Sequence, residues 1–154
     1  MNPADQGPRR LQFELHRDMQ EVMQQVKAIQ AFLLDAGCNA ACAQQLAVVA
    51  EEILSNIVRE AWAGRDAGHC GVVVDAAVTQ GNLDVGLRTE DDGVAFNPLE
   101  AEPPDLDASL DERSIGGLGI LFVRTMTDTQ TYHRTKGRNV FEVRKLCPFA
   151  TAAG

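Results

Sequence analysis

The spacing of apolar and polar residues predicts a strand followed by a helix at the start of the chain. Apolar and polar residues alternate over 11–15, which is typical of a half-buried strand. From Asp18 the apolar residues recur at three- and four-residue steps, which indicates an amphipathic helix. Asp18 suits its N-cap, Glu21 would complete a capping box, and Gly37 is a typical helix stop.

A second helix and a strand pair follow. Over about residues 40–62 the apolar residues form one helical stripe, which predicts a second amphipathic helix. Residues 72–78 and 83–87 are rich in valine and leucine, and a tight turn at 80–82 separates them. This pattern predicts a β-hairpin.

The C-terminal half holds a long aperiodic segment, a helix and another hairpin. Residues 97–115 contain three prolines and six acidic residues. A loop of this length in a compact domain is usually functional or mobile. Its position between two glycine motifs favours a lid over a site, and the alternative is a solvated acidic linker. We predict a helix over 118–127, strands over 129–135 and 140–146, and a hairpin turn between these strands.

The order β-α-α-β-β-lid-α-β-β indicates an α+β fold. Strands gather around helices, which favours a two-layer sandwich with helices on one face of a mostly antiparallel mixed sheet. A chain of 154 residues corresponds to one domain. We expect a flexible N-terminus over 1–10, the domain over 11–146, and a C-terminal tail over 147–154.

Composition excludes several functional classes. The net charge of -8 argues against nucleic-acid binding, because no basic patch is available to meet phosphates. No apolar run is long enough to span a membrane, and the N-terminus lacks a signal-peptide core, so we expect a cytoplasmic protein. The four cysteines are then expected to be reduced, with Cys70 and Cys147 isolated. Cys38 and Cys42 could share a helix face, but no second ligand pair with zinc spacing follows.

Three motifs carry candidate chemistry, and the first is on the second helix. Glu52 and Asn56 are four residues apart, so their side chains lie on the same helical face. An asparagine carbonyl suits Mg²⁺, which prefers hard oxygen ligands. A carboxylate one turn earlier can orient or deprotonate a nucleophile beside the metal. The alternative is that both residues belong to a solvated flank.

The second motif, Asp91 to Pro98, follows the first hairpin. A carboxylate at Asp91 can accept a hydrogen bond from an exocyclic amine such as that of adenine. Gly93 would allow a positive φ and the close approach of a planar ring, and Phe96 is expected in the core. An ordinary acidic turn is the alternative, since Asp-Gly pairs are common in turns.

The third motif is glycine-rich and precedes a helix expected to start near Ile120. It consists of Gly116, Gly117, Leu118 and Gly119. Free N–H groups at a helix start bind anions, and glycines remove steric obstruction. The segment lacks the Gly-Lys-Ser/Thr of a P-loop, and no strand leads directly into it as in a Rossmann motif. A flexible hinge beside the acidic loop is the alternative.

Together the motifs resemble the GHKL superfamily of ATP-binding domains, the Bergerat fold shared by histidine kinases and DNA gyrase. Within it the chain is most similar to the bacterial anti-sigma-factor serine/threonine kinases. The similarity rests on Glu52 to Asn56, Asp91 to Pro98 and Gly116 to Asp128, and the turn at 137–140 adds to it. It spans about residues 11–145, which is nearly the whole chain.

The resemblance implies a cofactor, ATP with Mg²⁺, and a role for each residue. Asn56 would ligate Mg²⁺, and Glu52 would be the catalytic base that accepts the proton of the substrate hydroxyl. Asp91 would bind the adenine amine, with Gly93 and Ala95 shaping the base pocket. The run of residues 116–119 would bind phosphates, and residues 97–115 would form the ATP lid.

The sequence departs from the family pattern at three places. Ala95 replaces a frequent glycine, which should narrow the base pocket without closing it. Glu60 stands where the family often has histidine or tyrosine, and we expect it to point away from the phosphates. The lid segment has Arg113 as its only cation, which weakens the prediction of a γ-phosphate clamp.

Three functions compete. The first is a kinase that phosphorylates a STAS-domain anti-anti-sigma protein and also binds a sigma factor or another regulator. The second is a nucleotide-binding module that acts only through protein binding. The third, a detached histidine-kinase-like ATPase domain acting on a histidine or a response-regulator partner, is disfavoured because residues 1–10 are too few for a phosphoacceptor helix. Relatives in this branch often form homodimers, so a homodimer is expected.

Overall fold

The chain folds into one sheet and three main helices within the part that the structure describes. The structure is a computed structural model, and it describes residues 7–65, 68–100 and 115–150, with only the backbone of 115–118. The elements in chain order are β1 (Arg9–Leu15), α1 (Met19–Asp35), α2 (Ala40–Glu60), β2 (Cys70–Thr79), β3 (Asn82–Asp91), a 3-10 turn (Pro98–Glu100), α3 (Ile115–Met126), β4 (Thr129–Thr135) and β5 (Arg138–Cys147). The predicted order of elements and the α+β sandwich are confirmed.

Every strand pair among the described residues is antiparallel, which confirms a mostly antiparallel sheet and gives no parallel pair that would make it mixed. Its strand order is β1-β2-β3-β5-β4, and each neighbouring pair runs antiparallel. Two-residue turns join β2 to β3 and β4 to β5, and turns this short connect only antiparallel strands. Gln80, Gly81, Lys136 and Gly137 all have positive φ, as a type I′ turn requires.

The N-cap of α1 follows the sequence prediction, but the capping box does not. Asp18 accepts a hydrogen bond from the Gln20 N–H at 2.9 Å. Glu21 accepts from the His16 N–H at 3.0 Å, while the Asp18 N–H donates to the His16 carbonyl. Glu21 therefore fixes the chain entering the helix, and it does not close a reciprocal box with Asp18. The helix ends before Gly37, as predicted.

Helix α2 is the central element of the helical layer. It begins at Asn39, whose side chain accepts hydrogen bonds from the N–H groups of Ala41 and Cys42. It packs against both α1 and α3. Its buried stripe lies in the same core as the inner face of the sheet. Because α2 also carries Glu52 and Asn56, the packing of the core fixes the position of that pair.

A polar network covers the middle of the outer face of the sheet. Arg144 of β5 reaches across Gly86 of β3, where a side chain would overlap its guanidinium. It donates hydrogen bonds to Asp75 at 2.8 Å and to Asp84 at 3.1 Å. These carboxylates, Asp75 first, raise the pKa of Arg144. The charged network belongs on the face away from the helices, because the opposite face is packed with apolar side chains.

Three of the four cysteines come together, which contradicts the expectation of separate, reduced thiols. Cys42 and Cys147 form a disulfide. Cys38 is buried beside them as a free thiol, and burial raises its pKa to about 11. In sequence, 105 residues separate Cys147 from Cys42, so no local spacing links the two. In the fold, the end of β5 lies beside the start of α2.

Backbone contacts continue this junction beyond the strand. The Asn39 N–H donates to the Pro148 carbonyl, and the Ala150 N–H donates to the Gly37 carbonyl, each at 2.8 Å. Residues 148–150 are thus tied to the α1–α2 connection, although a tail was expected there. Among the described helices, none is long and apolar enough to cross a membrane.

We predict that the disulfide stabilises the fold substantially, because it closes a loop of about 105 residues. Reduction in metal-free buffer should lower the free energy of unfolding by about 2–4 kcal/mol, measured by urea denaturation. The Cys42→Ala/Cys147→Ala double variant is the control and should not respond to reductant. Equal unfolding midpoints for the oxidised and reduced wild type would contradict the prediction.

Candidate functional site

A cavity of about 530 Å³ lies between α2, the inner face of the sheet and the start of α3. Its walls are mostly apolar, and residues of the segment that follows β3 contribute to them. The polar lining residues are Asn56, Glu60, Thr89, Asp91, Tyr132 and Asn139. This volume and this mixture of apolar walls with a few polar groups are typical of small-molecule sites.

Asp91, at the end of β3, is a buried carboxylate that faces this cavity. Its Oδ1 accepts hydrogen bonds from the Gly93 N–H at 2.9 Å and from Asn139 Nδ2 at 3.0 Å. Its Oδ2 has no hydrogen-bond partner among the described residues. Burial raises the pKa of Asp91, while the hydrogen bonds from Asn139 and Gly93 oppose the shift. One oxygen is therefore held by the protein, and the other is available to a ligand donor.

Asn139 connects Asp91 to the segment that follows it. The residue is buried and lies directly opposite Asp91 in the pairing of β3 with β5. Its Nδ2 donates to Asp91 and to the Val94 carbonyl at 2.8 Å. Its Oδ1 accepts from the Phe96 N–H at 3.2 Å. One side chain thus fixes both the carboxylate and the wall of the cavity.

The acceptor side of Asn139 is held by two residues of β4. Its Oδ1 accepts hydrogen bonds from the Tyr132 hydroxyl at 2.6 Å and from an Arg134 nitrogen at 2.9 Å. Arg134 also donates to the Gly93 carbonyl at 3.2 Å. Sequence reasoning noted Asn139 only as part of a hairpin turn. The available signal was a polar residue directly before the apolar pair Val140 and Phe141 at the start of a strand.

The structure gives a different reason for the glycine at position 93 from the one predicted. It is absent from the residues with positive φ, so the expected left-handed turn was wrong. A Cβ on Gly93 would overlap the carbonyl of Ala61, and the Val94 N–H donates to that carbonyl at 2.9 Å. Gly93 therefore lets the end of β3 pack directly on the C-terminal end of α2.

The structure agrees with some of the other expectations about the cavity wall and disagrees with others. Ala95 lines the cavity, as predicted for a residue that shapes the pocket. Phe96 also lines it and is 42% exposed, so its assignment to the core was wrong. Glu60 lines the cavity as well, although it was expected to point away. Glu60 lies one helical turn after Asn56 on α2, so both side chains are on the helix face toward the cavity.

Asp92 anchors the loop after α2 to the end of β3. Its Oδ1 accepts hydrogen bonds from the His69 N–H at 2.9 Å and from the indole of Trp62 at 2.8 Å, and Arg65 pairs with Oδ2 at 3.3 Å. Burial opposes the ionisation of Asp92, but these donors outweigh it and lower the pKa. Asp92 thus has a structural role beside Asp91, and Trp62 is fully buried against it.

Glu52 and Asn56 lie one turn apart on α2, as predicted. Asn56 lines the cavity, whereas Glu52 lies against Gly119 of α3, where an added Cβ would overlap its carboxylate. Neither side chain makes a hydrogen bond or ion pair with another residue in the described part of the chain. Polar groups in a partly buried position without protein partners are suited to a ligand.

The glycine-rich run is helical, which changes its predicted boundary. Helix α3 begins at Ile115, so residues 116–119 lie in its first turns and not in a loop before Ile120. The N–H groups in the first turn of a helix have no partner within the helix. The start of α3 therefore still offers anion-binding groups close to Glu52. Most of the predicted lid, including Arg113, lies outside the described residues.

We predict that Asn139→Ala raises the pKa of Asp91 further, because the variant removes a hydrogen bond that favours the carboxylate. It should also lower the free energy of unfolding by about 1–3 kcal/mol, since several buried partners lose their hydrogen bonds. NMR titration of the Asp91 carboxyl and urea denaturation measure the two effects. Asn82→Ala, in the first residue of β3, is the control and should change neither quantity.

Comparison with known proteins identifies the family of the chain. Residues 15–145 match the model of the histidine kinase-like ATPase domain. The serine/threonine-protein kinase BtrW of Bordetella bronchiseptica is 33% identical over 94 residues, which cover 61% of this chain and 63% of that protein. The serine-protein kinase RsbW of Listeria monocytogenes is 26% identical over 109 residues, covering 68% and 67%.

The chain therefore spans about 63–67% of the length of these two curated relatives. The family match covers the elements that build the cavity, from the end of β1 to Lys145 in β5. The resemblance read from the three motifs is confirmed. The chain belongs to the histidine kinase-like ATPase domain family.

Proposed function

We propose that the chain binds ATP in the cavity and transfers its γ-phosphoryl group to a serine or threonine of a protein partner. The observation that supports this most directly is the Asp91 carboxylate, which faces an apolar cavity with Oδ2 unengaged by the described residues. Both relatives are named as serine or serine/threonine protein kinases.

The end of the cavity near Asp91 fits the adenine ring of ATP. The exocyclic amine of adenine is a donor, and Asp91 Oδ2 is an acceptor whose partner oxygen is already fixed by Gly93 and Asn139. The apolar walls, which include Ile57, Val94 and Phe141, can enclose a planar ring. Because Asn139 and Gly93 already hold Oδ1 of Asp91, the acceptor Oδ2 is preorganised, and binding does not have to order the carboxylate.

The other end of the cavity fits phosphates and a divalent cation. Asn56 presents an amide oxygen that no described residue engages, and this hard donor would hold Mg²⁺. When bound, the ion would neutralise charge on the phosphates. Of the predicted run 116–119, the N–H groups of Gly116 and Gly117 lie in the first turn of α3 and would receive phosphate oxygens, whereas those of Leu118 and Gly119 pair within the helix.

Glu52 is the candidate general base. Its carboxylate lies beside the start of α3 and one turn from Asn56. In the proposed reaction the partner hydroxyl attacks the γ-phosphorus and its proton passes to Glu52. The bond from the γ-phosphorus to the bridging oxygen breaks, and ADP leaves. Phosphoryl transfer of this kind depends mainly on positioning and electrostatics, so one base is sufficient.

The proposed partners follow the kinase branch that the sequence resembles. The phosphorylated protein would be a STAS-domain anti-anti-sigma factor, and a sigma factor or other regulator would bind the same chain. We propose that this occurs in the cytoplasm, with the chain as a homodimer. The domain would extend over 11–146, with residues 97–115 as the lid.

A nucleotide-binding module without transfer activity is the second candidate. Glu60 lines the cavity and is exposed, so it adds negative charge near the cavity that would receive phosphates. Repulsion from this carboxylate would oppose the placement of the γ-phosphate for transfer, which favours a module that binds nucleotide without turnover. Stoichiometric ATP or ADP binding with no transfer to any STAS-domain protein would support this candidate.

We predict that Asp91→Ala abolishes most nucleotide binding, because the adenine amine loses its acceptor. Titration calorimetry with ATP and ADP, with and without Mg²⁺, should show affinity reduced roughly 10- to 150-fold, equivalent to a charged hydrogen bond of about 1.5–3 kcal/mol. Glu90→Ala is the matched control, since Glu90 precedes Asp91 on the other face of β3 and should leave binding intact. Unchanged affinity in Asp91→Ala would exclude this site for adenine.

We predict that Glu52→Ala and Glu52→Gln lower the rate of phosphoryl transfer by about 10²-fold or more, since the hydroxyl loses its base. Nucleotide affinity should remain close to wild type. Transfer from labelled ATP to purified STAS-domain proteins of the source organism measures the rate. Glu51→Ala is the control, because Glu51 is the neighbouring acid on α2. Full transfer by Glu52→Ala would remove Glu52 from the mechanism.

A further inference from the structure

The cluster formed by Cys38, Cys42 and Cys147 contains one more sulfur than its disulfide uses. The three Sγ atoms all lie within 4.8 Å of one another, and all three residues are buried. Cys38 is fully buried, and its side chain makes no hydrogen bond with another described residue. The cluster is separate from the cavity, and none of its members lines it.

The three cysteines reach this point from both ends of the domain. Cys38 precedes the N-cap Asn39, and Cys42 lies in the first turn of α2, where its N–H donates to Asn39 at 3.3 Å. Cys147 ends β5. Backbone pairing of Cys38 with Phe149 holds the two chain segments side by side independently of the sulfur chemistry. The convergence of the sulfurs therefore does not depend on the disulfide bond alone.

Three sulfurs in this arrangement match the ligand set of a thiophilic metal ion. Thiolates bound to one Zn²⁺ at about 2.3 Å lie ~3.8 Å apart in a tetrahedral site. The three Sγ atoms lie within 4.8 Å of one another, and cleavage of the Cys42–Cys147 bond would let these two sulfurs separate toward that spacing. Soft thiolates select ions such as Zn²⁺ and Cu⁺ over Mg²⁺. The N-terminus of α2 carries partial positive charge, which stabilises a thiolate at Cys42.

We propose that Cys38, Cys42 and Cys147 form a redox-gated metal site. The disulfide form holds no ion, and the reduced form binds one thiophilic divalent cation through three thiolates. This proposal does not rest on the proposed kinase function. Its consequence is that the junction between α2 and the end of β5 is cross-linked in both redox states, by a disulfide or by a metal ion.

Opening the site requires one external reductant, a dithiol. The dithiol donates two electrons and two protons to the Cys42–Cys147 disulfide, which becomes two thiols, and the dithiol becomes a cyclic disulfide. A divalent cation then forms three metal–sulfur bonds and displaces three protons. One coordination position remains for water or another ligand, as in zinc sites with three protein ligands. In the reverse step a cyclic disulfide, the oxidised form of the dithiol, accepts two electrons from the Cys42 and Cys147 thiolates and becomes a dithiol; the Cys42–Cys147 disulfide re-forms, Cys38 takes up a proton and the ion is released.

The test compares the oxidised and reduced forms of the full chain. The protein is reduced with a phosphine under anaerobic conditions, and Cd²⁺ is titrated while thiolate-to-metal charge-transfer absorption is recorded. Zn²⁺ is then titrated in competition with a chromogenic chelator. We expect one equivalent of each ion to bind the reduced protein and no binding to the oxidised protein. Absence of binding to the reduced protein overturns the proposal.

Two variants show whether the third sulfur takes part. Cys38→Ala should weaken Cd²⁺ and Zn²⁺ binding by well over tenfold, since even changes outside the ligand shell cost about 10- to 100-fold at metal sites. Cys70→Ala is the matched control, because Cys70 is a buried cysteine outside the cluster, and it should bind like wild type. Equal affinity in Cys38→Ala and wild type overturns the three-thiolate site.

Thermal unfolding gives an independent readout on the wild type. Zn²⁺ should raise the Tm of the reduced protein, because a ligand that binds only the folded state stabilises it. It should not change the Tm of the oxidised protein. A similar Tm shift in both forms would assign the ion to another place and overturn the proposal.

Discussion

The contact between Gly93 and the carbonyl of Ala61 determines the geometry of the site. It joins the end of β3 to the C-terminal end of α2, and it is closed by the hydrogen bond from the Val94 N–H. Asp91 lies on one side of this contact, and Asn56 and Glu52 lie on the other. A larger residue at position 93 would push these groups apart. Close backbone packing, rather than a ligand contact, explains the glycine.

Much of the fold could be predicted from the sequence, because the patterns that define it are local. The period of apolar residues located both long helices, and the pairs Gln80-Gly81 and Lys136-Gly137 located both hairpins. The four-residue spacing also placed Glu52 and Asn56 one turn apart on α2. The predicted start of α3, near Ile120, was wrong, because the helix begins at Ile115 and includes the glycine-rich segment. Glycine has low helix propensity, but the helix continues through these glycines.

The contacts that build the site and the cysteine cluster were missed because they depend on residues that are distant along the chain. Asn139 acts on Asp91 only because β5 pairs with β3, and Cys147 meets Cys42 only because the end of β5 lies beside α2. The position of Glu60 depends on how α2 is rotated against the sheet. No local spacing encodes such contacts. Polar residues in apolar strands and unassigned cysteines are the signals that point to them.

The sheet order has a consequence for how the chain is made. Strand β5 is the last described strand in sequence, yet it lies inside the sheet between β3 and β4. During synthesis on a ribosome, β3 therefore has an open edge until β5 emerges, and β1 to β3 can form only three of the five described strands of the sheet. Asp91 stays without Asn139 for the same period. The cavity is thus completed after translation has passed β5, and nascent chains that end before it should present an unpaired β3 to chaperones or to other chains.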